Sequence, residues 1–210
     1  MIDLGFILSF KKEFTLNKKS TFYLARHGQT EWNIERRIQG QLDSPLTDLG
    51  KQQAVLLGEQ CRQLKITQVL SSPLGRALQT AELCAETLQL HVKKVTGFEE
   101  RHFGCWQGKL ISEVNTDSKY AEITSQITEC KPEQGESAIQ SLTRFQIALK
   151  DLLEKNVGNE TYLIIAHGEI LRCFMADLKQ QKQTATGYDY QNGEIIAIVY
   201  DHVLQQFFVL

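Results

Sequence analysis

Strand and helix signals alternate along these 210 residues. They predict an α/β protein: three-layer α/β/α, with a mostly parallel central sheet and at least one antiparallel strand. Three observations carry the prediction. Short apolar runs at 21–25, 69–70 and 161–166 read as buried strands, each followed by a helical pattern. Segments 195–200 and 205–210 read as a terminal hairpin turned near Asp201 and His202, which requires antiparallel pairing. A chain of this length, 42% hydrophobic and 23% charged, suits one domain with a sizeable core.

The elements follow in order. Residues 1–20 read as an N-terminal extension to a single domain over 21–210. Leu4 to Phe10 is apolar, but Asp3 precedes it and no Lys or Arg does, so it lacks a secretory signal's basic start and cleavage site. An extra strand or a loose extension is the reading there. Residues 47–64 form a helix with Thr47 as N-cap and Ala54, Val55, Leu57 and Cys61 as its apolar positions. After the strand at 69–70, a helix over 73–90 opens with Pro73 in its first turn and puts Ala77, Thr80, Ala81, Cys84 and Leu88 on one face. Residues 92–95 are a possible third strand. Residues 99–108 read as loop, 118–130 as a weakly patterned helix and 131–135 as a breaker. A long helix over 137–155 has Ser137 as N-cap, and a helix over 169–178 leaves the strand at 161–166.

Composition narrows the function. A net charge of −2 gives no global basic field, so neither nucleic acid nor an acidic membrane surface is expected as a partner. No apolar run reaches the roughly 20 residues that span a bilayer. The five cysteines are scattered without a C-x-x-C pair, which suggests packing thiols in a reducing, cytoplasmic setting. Cys105, inside a motif considered below, is the one to watch for oxidation. His91 and His202 read as surface residues.

The chemistry stands at two strand ends. Arg26-His27-Gly28 follows the first strand and His167-Gly168 follows the late one. Ligands of open α/β sheets bind beyond the carboxyl ends of the strands, so both histidines can meet in one pocket. The adjacent arginine points to an anion, most simply a phosphate. Phosphoryl transfer without a metal needs a nucleophile, fixed positive charge on the equatorial oxygens and an acid for the leaving alkoxide. Neutral imidazole serves as the nucleophile. Arg76, at a helix start after the strand 69–70, supplies a second guanidinium. Glu99 and Glu100 supply carboxylates. Gly28 and Gly168 let the backbone approach the anion.

The stretch Arg26-His27-Gly28-Gln29-Thr30-Glu31-Trp32-Asn33 resembles the signature of the histidine phosphatase superfamily, in its phosphoglycerate-mutase-like branch. So do Arg37-Ile38-Gln39-Gly40 continuing to Asp43-Ser44-Pro45-Leu46-Thr47, and Ser71-Ser72-Pro73-Leu74-Gly75-Arg76 continuing to Ala81. Glu100 to Gly108, Gly135-Glu136-Ser137 and Ala166-His167-Gly168 complete the series in family order. The resemblance implies a phosphoglycerate-mutase-like fold and the following roles. His27 is the nucleophile, Arg26 and Arg76 clamp the phosphoryl oxygens, and His167 donates a hydrogen bond to the transferring group. Glu100 is the general acid and then the base that activates water. Asn33 and Gln39 line the phosphate site, with Arg37 at its rim and Gly168 beside it. No metal and no cofactor are implied. Glu99 is then a bystander, His102 and Arg172 are structural, and Trp106 packs under the loop.

Two departures from the family pattern stand out. Trp106-Gln107-Gly108 stands where Trp-Glu-Gly is common; glutamine keeps the hydrogen bonding and loses a charge. Glu169 follows His167-Gly168, where small or apolar residues are commoner. Facing the site, it would disfavour a second phosphate and raise a nearby histidine's pKa. In the first turn of the helix it is a favourable dipole partner, and this second reading is preferred.

The function expected is a metal-independent, histidine acid phosphatase-type phosphomonoesterase acting through a phosphohistidine on small phosphorylated metabolites. Phosphoglycerate mutase-type transfer is the first alternative. Family mutases carry a long insertion between the Glu loop and the Gly-Glu-Ser segment, whereas here the connection is short and leaves little for a lid. The compact length resembles broad-specificity phosphatases and α-ribazole phosphatases. A catalytically inactive phospho-ligand-binding module is the alternative of another class, although it predicts a broken His–Arg–Arg–Glu–His set and this set is complete. A metal site from His27, His167 and a carboxylate lacks an H-E-x-x-H pattern and has two repelling arginines beside it. The physiological substrate and the oligomeric state are open at this level.

Overall fold

The structure, a computed structural model, describes residues 18–156, 158–181 and 190–210. The expected strand or extension at Leu4 to Phe10 lies outside the described residues. β1 (Lys19–Arg26) starts two residues before the predicted strand, so Lys19 and Ser20 pair with Asp201 and Tyr200. The rest of the order is α1 (Glu31–Ile34), α2 (Asp48–Cys61), β2 (Gln68–Ser71), α3 (Gly75–Leu88), β3 (Val92–Lys94), α4 (Ile111–Val114) and α5 (Tyr120–Ser125). Then come α6 (Ala138–Lys155), β4 (Thr161–Ala166), α7 (Gly168–Leu178), β5 (Ile195–Asp201) and β6 (Gln206–Val209).

The six strands form one sheet in the order β3-β2-β4-β1-β5-β6. β3, β2, β4 and β1 are parallel, while β5 runs antiparallel to β1 and β6 antiparallel to β5. The predicted class and hairpin are both present. β4 lies between β2 and β1, and helices cover both its faces, so it needs apolar residues without alternation; Tyr162 to Ala166 are all buried. Tyr162, Ile164 and Ala166 pack with Phe22, Leu24 and the α6 and α7 side chains Phe145, Leu149 and Phe174. Leu163 and Ile165 point the other way, onto Ala54, Leu57 and Cys61 of α2 and Ala77, Ala81 and Cys84 of α3. Each large apolar side chain so buried contributes about 2 kcal/mol. Val55 of α2 is instead 41% exposed, since only one stripe of the helix meets the sheet.

Several boundaries differ from the predicted ones for local reasons. α2 begins as predicted, with the Gly50 N–H on Thr47 Oγ1 at 3.0 Å. Its predicted last turn, 62–64, tightens into a 3₁₀ turn before Lys65 at φ +50°. Pro73 is not in the first turn of α3. Leu74 is the extended N-cap, and the Arg76 N–H donates to Asp43 Oδ1 at 3.2 Å, so a carboxylate from another loop sets this start. Residues 118–130 keep a helix only at α5: Gln126 turns extended after Ser125, and the Ile123 carbonyl accepts Arg101 Nη1 at 2.7 Å. The predicted loop 99–108 contains a 3₁₀ turn at Gly104–Trp106. Ser137 caps α6 in a reciprocal pair with Gln140, as expected.

His91 is exposed, but His202 is half-buried and bonded to Ser20 Oγ at 2.9 Å, since the hairpin folds back on the start of β1. Of the cysteines, three are buried and Cys105 is exposed, so the packing role does not extend to it. Burial pushes the thiols of Cys84 and Cys173 up to about 12, far from thiolate reactivity. Among the described residues, no helix is long and apolar enough to cross a membrane.

The loop after β1 rests on the start of α2 through two glycines. A Cβ on Gly50 would stand 2.0 Å from the Gln29 carbonyl oxygen, and one on Gly28 would stand 2.3 Å from that of Gly50. Gly50→Ala is therefore expected to destabilise by roughly 1–3 kcal/mol, lowering Tm by several degrees in calorimetry. An unchanged Tm would show that the loop yields freely.

Candidate active site

The site begins where β1 and β4 end together. Their register pairs Arg26 with Ala166, so the next residue on each strand is a histidine. The His27 and His167 rings lie 5.2 Å apart, both almost fully buried. The His27 Nδ1 is 2.8 Å from the Gly28 carbonyl, which can only accept, so Nδ1 carries the proton and Nε2 the lone pair. That lone pair accepts the Arg76 Nε–H at 3.2 Å. Asn192 Nδ2 donates to the His27 carbonyl at 2.6 Å and fixes the backbone beneath.

Arg76 is held on every side. Its Nη1 donates to the Leu42 carbonyl at 2.7 Å and to Asp43 Oδ1 at 3.1 Å, and Nη2 donates to the Gly40 carbonyl at 2.7 Å. Gly40 adopts φ +55° and turns this carbonyl inward. Arg26 Nη1 donates to the Tyr190 carbonyl at 2.8 Å. Ser72 Oγ accepts the Leu74 N–H at 3.3 Å and lies 2.8 Å from His167 Nε2. The other ring nitrogen, His167 Nδ1, is buried without a hydrogen-bond partner.

Glu100 sits on the N-terminus of α7. Its Oε1 accepts the N–H groups of Arg101 at 2.9 Å and Ile170 at 3.0 Å, and Oε2 accepts that of Glu169 at 3.1 Å. A cavity of about 70 Å³ joins these parts. Arg26, His27, Asn33, Arg37, Gln39, Arg76, Glu100 and Gly168, eight of the nine residues expected in the site, line it; His167 does not, although its ring is 5.2 Å from that of His27. Asn33 and Gln39 both bond to Thr30, and the Gln39 Oε1 is buried and unpartnered. Arg37, 29% exposed, pairs with Glu35 at the rim. A larger surface groove between α6, α7 and the hairpin holds none of these residues.

Burial acts on the two kinds of group in opposite senses. Desolvation, then Arg76 and Arg26, hold the His27 imidazole well below its ordinary 6.5 despite the Gly28 carbonyl. Burial, with Arg76, His27, Arg26 and Arg144, does the same to His167. Desolvation and the nearby Glu169 raise Glu100 above the ordinary carboxyl value, against its N–H donors and Arg76.

Glu169 is the main correction. It does stand in the first turn of α7, but it is 7% exposed and lines the cavity. Its Oε1 accepts from Arg101 at 3.1 Å and Arg172 at 2.6 Å, and its Oε2 from Arg172 at 2.9 Å. Its charge acts on Glu100, not on a histidine. Glu99 is no bystander either: its carboxylate accepts the Gly97 N–H at 2.7 Å and faces Arg144 at 3.7 Å.

Arg144 on α6 was missed. It donates to the carbonyls of Gly97, Glu99 and Glu100 and forms a two-pronged pair with Glu136 at 2.9 Å. The Glu136 carboxylate also accepts the His102 N–H at 2.9 Å. His102 and Trp106 are structural, as expected: His102 Nδ1 accepts the Gly104 N–H, and Trp106 is 3% exposed. Gln107 Oε1 accepts the N–H groups of Gln41 and Phe103, keeping the bonding expected of it. Ile38, Phe103, Tyr120 and Thr124 complete the wall. The adjacency of Arg101 to Glu100 and the Gly-Glu-Ser segment were available signals for the clamp; Tyr120 and Thr124 gave none.

The sequence model described as histidine phosphatase superfamily (branch 1) matches residues 22–207. The chain belongs to that superfamily. It is 33% identical over 188 residues to "Probable phosphoglycerate mutase GpmB" of Proteus mirabilis, covering 83% of this chain and 87% of that protein. Among solved structures it is similar to Bacillus stearothermophilus YhfR, at TM-score 0.80 and 31% identity over 90% of this chain and 95% of that one. It is also similar to a mycobacterial glucosyl-3-phosphoglycerate phosphatase complexed with VO3, at TM-score 0.77 and 25% identity over 92% and 98%. This histidine phosphatase-family enzyme thus has phosphatase-like and mutase-like relatives.

The Arg144–Glu136 pair gives a stability prediction with a definite sign. Burial raises the Glu136 carboxyl, but the Arg144 hydrogen bonds, the His102 N–H and the Arg144 charge outweigh it and hold the group below its ordinary value. Its stabilisation is present above the unfolded-state value and lost as pH falls through the depressed folded one. Glu136→Gln is expected to cost about 1.5–3 kcal/mol at pH 7 in urea unfolding. The gap to wild type should shrink as the pH drops below about 4; a gap independent of pH would refute the pairing.

Proposed function

We propose that this enzyme hydrolyses phosphomonoesters of small metabolites through a phosphohistidine on His27, without a metal. The observation that carries the reading is the neutral His27, its Nε2 lone pair facing Arg76 while a carboxyl raised by burial stands across the same cavity. The phosphoryl group binds between Arg26, Arg76 and the unpartnered Nδ1 of His167, which in this reading carries the ring proton and donates it to a phosphoryl oxygen. His27 Nε2 attacks phosphorus, the ester P–O bond breaks, and the Glu100 proton passes to the departing alkoxide. The phosphoimidazole keeps its Nδ1–H on the Gly28 carbonyl. Glu100, now a carboxylate, takes a proton from water as that water attacks phosphorus; the P–N bond breaks and neutral His27 returns.

Mutase-type transfer is favoured by the name of the GpmB relative. The phosphatase neighbour and the short connection from Glu100 to Gly135 favour hydrolysis. That connection does supply more cover than expected. Tyr120 and Thr124 of α5 roof the cavity, and Val114 and Ile123 pack with Ile38, Phe103 and Trp106 beneath.

Assays with p-nitrophenyl phosphate, sugar phosphates, phosphoglycerates and α-ribazole phosphate in parallel separate hydrolysis from transfer. His27→Ala is expected to abolish turnover, and a labelled phosphoenzyme should be acid-labile and stable in alkali. Near-native activity in His27→Ala would sink the assignment; phosphate binding with no turnover of any ester would favour a binding module. The kcat/KM profile should be bell-shaped. Its acid limb lies below the ordinary imidazole range, where His27 gains a proton. Its basic limb follows loss of the Glu100 proton, above the ordinary carboxyl range. A profile rising through the ordinary imidazole range would contradict the neutral His27.

A further inference from the structure

Glu100 stands where a carboxyl should ionise. Three backbone N–H groups, two of them from the start of α7, point at its oxygens, and Arg76 adds positive charge. A proton donor needs the opposite influence. Burial supplies most of it and the second carboxylate on that helix end adds to it; Glu169 is itself paired with the guanidiniums of Arg101 and Arg172. All three side chains are nearly inaccessible. Arg101 also donates to the carbonyls of Ile123, Cys130 and Glu136, so one cation ties α5, the following loop and the cap of α6 to α7.

We propose that Glu169 is a positioning residue for the proton donor: clasped by Arg101 and Arg172, it docks the Glu100 loop on the N-terminus of α7 and sets a second carboxylate beside Glu100. This rests on the reading of Glu100 as the donor. Repulsion from the neighbouring carboxylate then adds to burial in favouring the proton-bearing form of Glu100. The groups facing the pair are Arg76 from α3, Arg101 from the loop, Tyr120 from α5, and Arg172 and Cys173 from α7 itself. The Tyr120 phenol, after burial, is also pushed up by Glu169, against Arg36.

The test compares Glu169→Gln with Glu169→Asp. With a sugar phosphate, whose alkoxide leaves only with a proton, Glu169→Gln should move the basic limb of kcat/KM to lower pH, so the loss at pH 8 exceeds that at pH 5.5 by about threefold or more. Glu169→Asp should restore the limb. Amide exchange, which needs no turnover, should quicken in peptides covering 97–104 and 120–131 of Glu169→Gln while β4 keeps its protection. A loss equal at both pH values and shared by Glu169→Asp marks a merely structural role and overturns the proposal. Unchanged exchange overturns the docking half. Glu100→Gln separates the two readings. If it loses turnover while Glu169→Gln keeps the wild-type limb, only this inference falls. If it turns over near wild type, Glu100 is not the donor, and exchange alone decides the docking.

Discussion

The parallel pairing of β1 with β4 is the constraint on which the site depends. The two strands are far apart in sequence, yet their register ends them level, Arg26 beside Ala166. Only then do the next residues, His27 and His167, come ring to ring at 5.2 Å. A parallel pair at the sheet centre needs both faces covered by helices, and this is why β4 is apolar throughout. The same coverage sends α3 and α7 away from the carboxyl ends of β2 and β4, with their N-termini beside the two rings. Arg76 and Glu169 therefore enter the site from helix starts.

The second theme is charge held out of water. Arg76, Arg101 and Arg172 are among the largest fully buried side chains, and each has named oxygen partners. Burying such groups unpaired would be prohibitive, so these contacts are conditions of folding as much as of chemistry. Desolvation then lowers the imidazoles and raises Glu100. Neutral imidazoles and a proton-bearing carboxyl are the forms that the proposed phosphoryl transfer requires, and one buried cavity favours both.

The third theme is the Glu100 loop, which has no regular ladder from Gly97 to Phe103. Side chains substitute for it. Arg144 gathers three carbonyls, Glu136 takes the His102 N–H, and Arg101 gathers three more carbonyls from across the cap. Exposed Cys105 follows this loop, where packing no longer constrains it.

The sequence by itself determined the α/β class, the central strands, the caps at Thr47 and Ser137, and the motifs that bring eight of the expected residues to one cavity. These are recorded locally, as periodicity, as hydroxyl caps and as motifs at strand ends. Helix ends set by distant partners were not legible: α3 starts where Asp43 reaches it, and the predicted helix over 118–130 stops at Ser125, where Arg101 takes the Ile123 carbonyl. Nor was the environment of Glu169, because a first-turn carboxylate looks the same whether it faces solvent or two buried arginines. Tyr120 and Thr124 carry no local mark, and only the folding of α5 over the cavity makes them walls. Spacing along a chain records which residues repeat on one face. Which charge meets which is decided by elements far apart in sequence, and so by the tertiary structure alone.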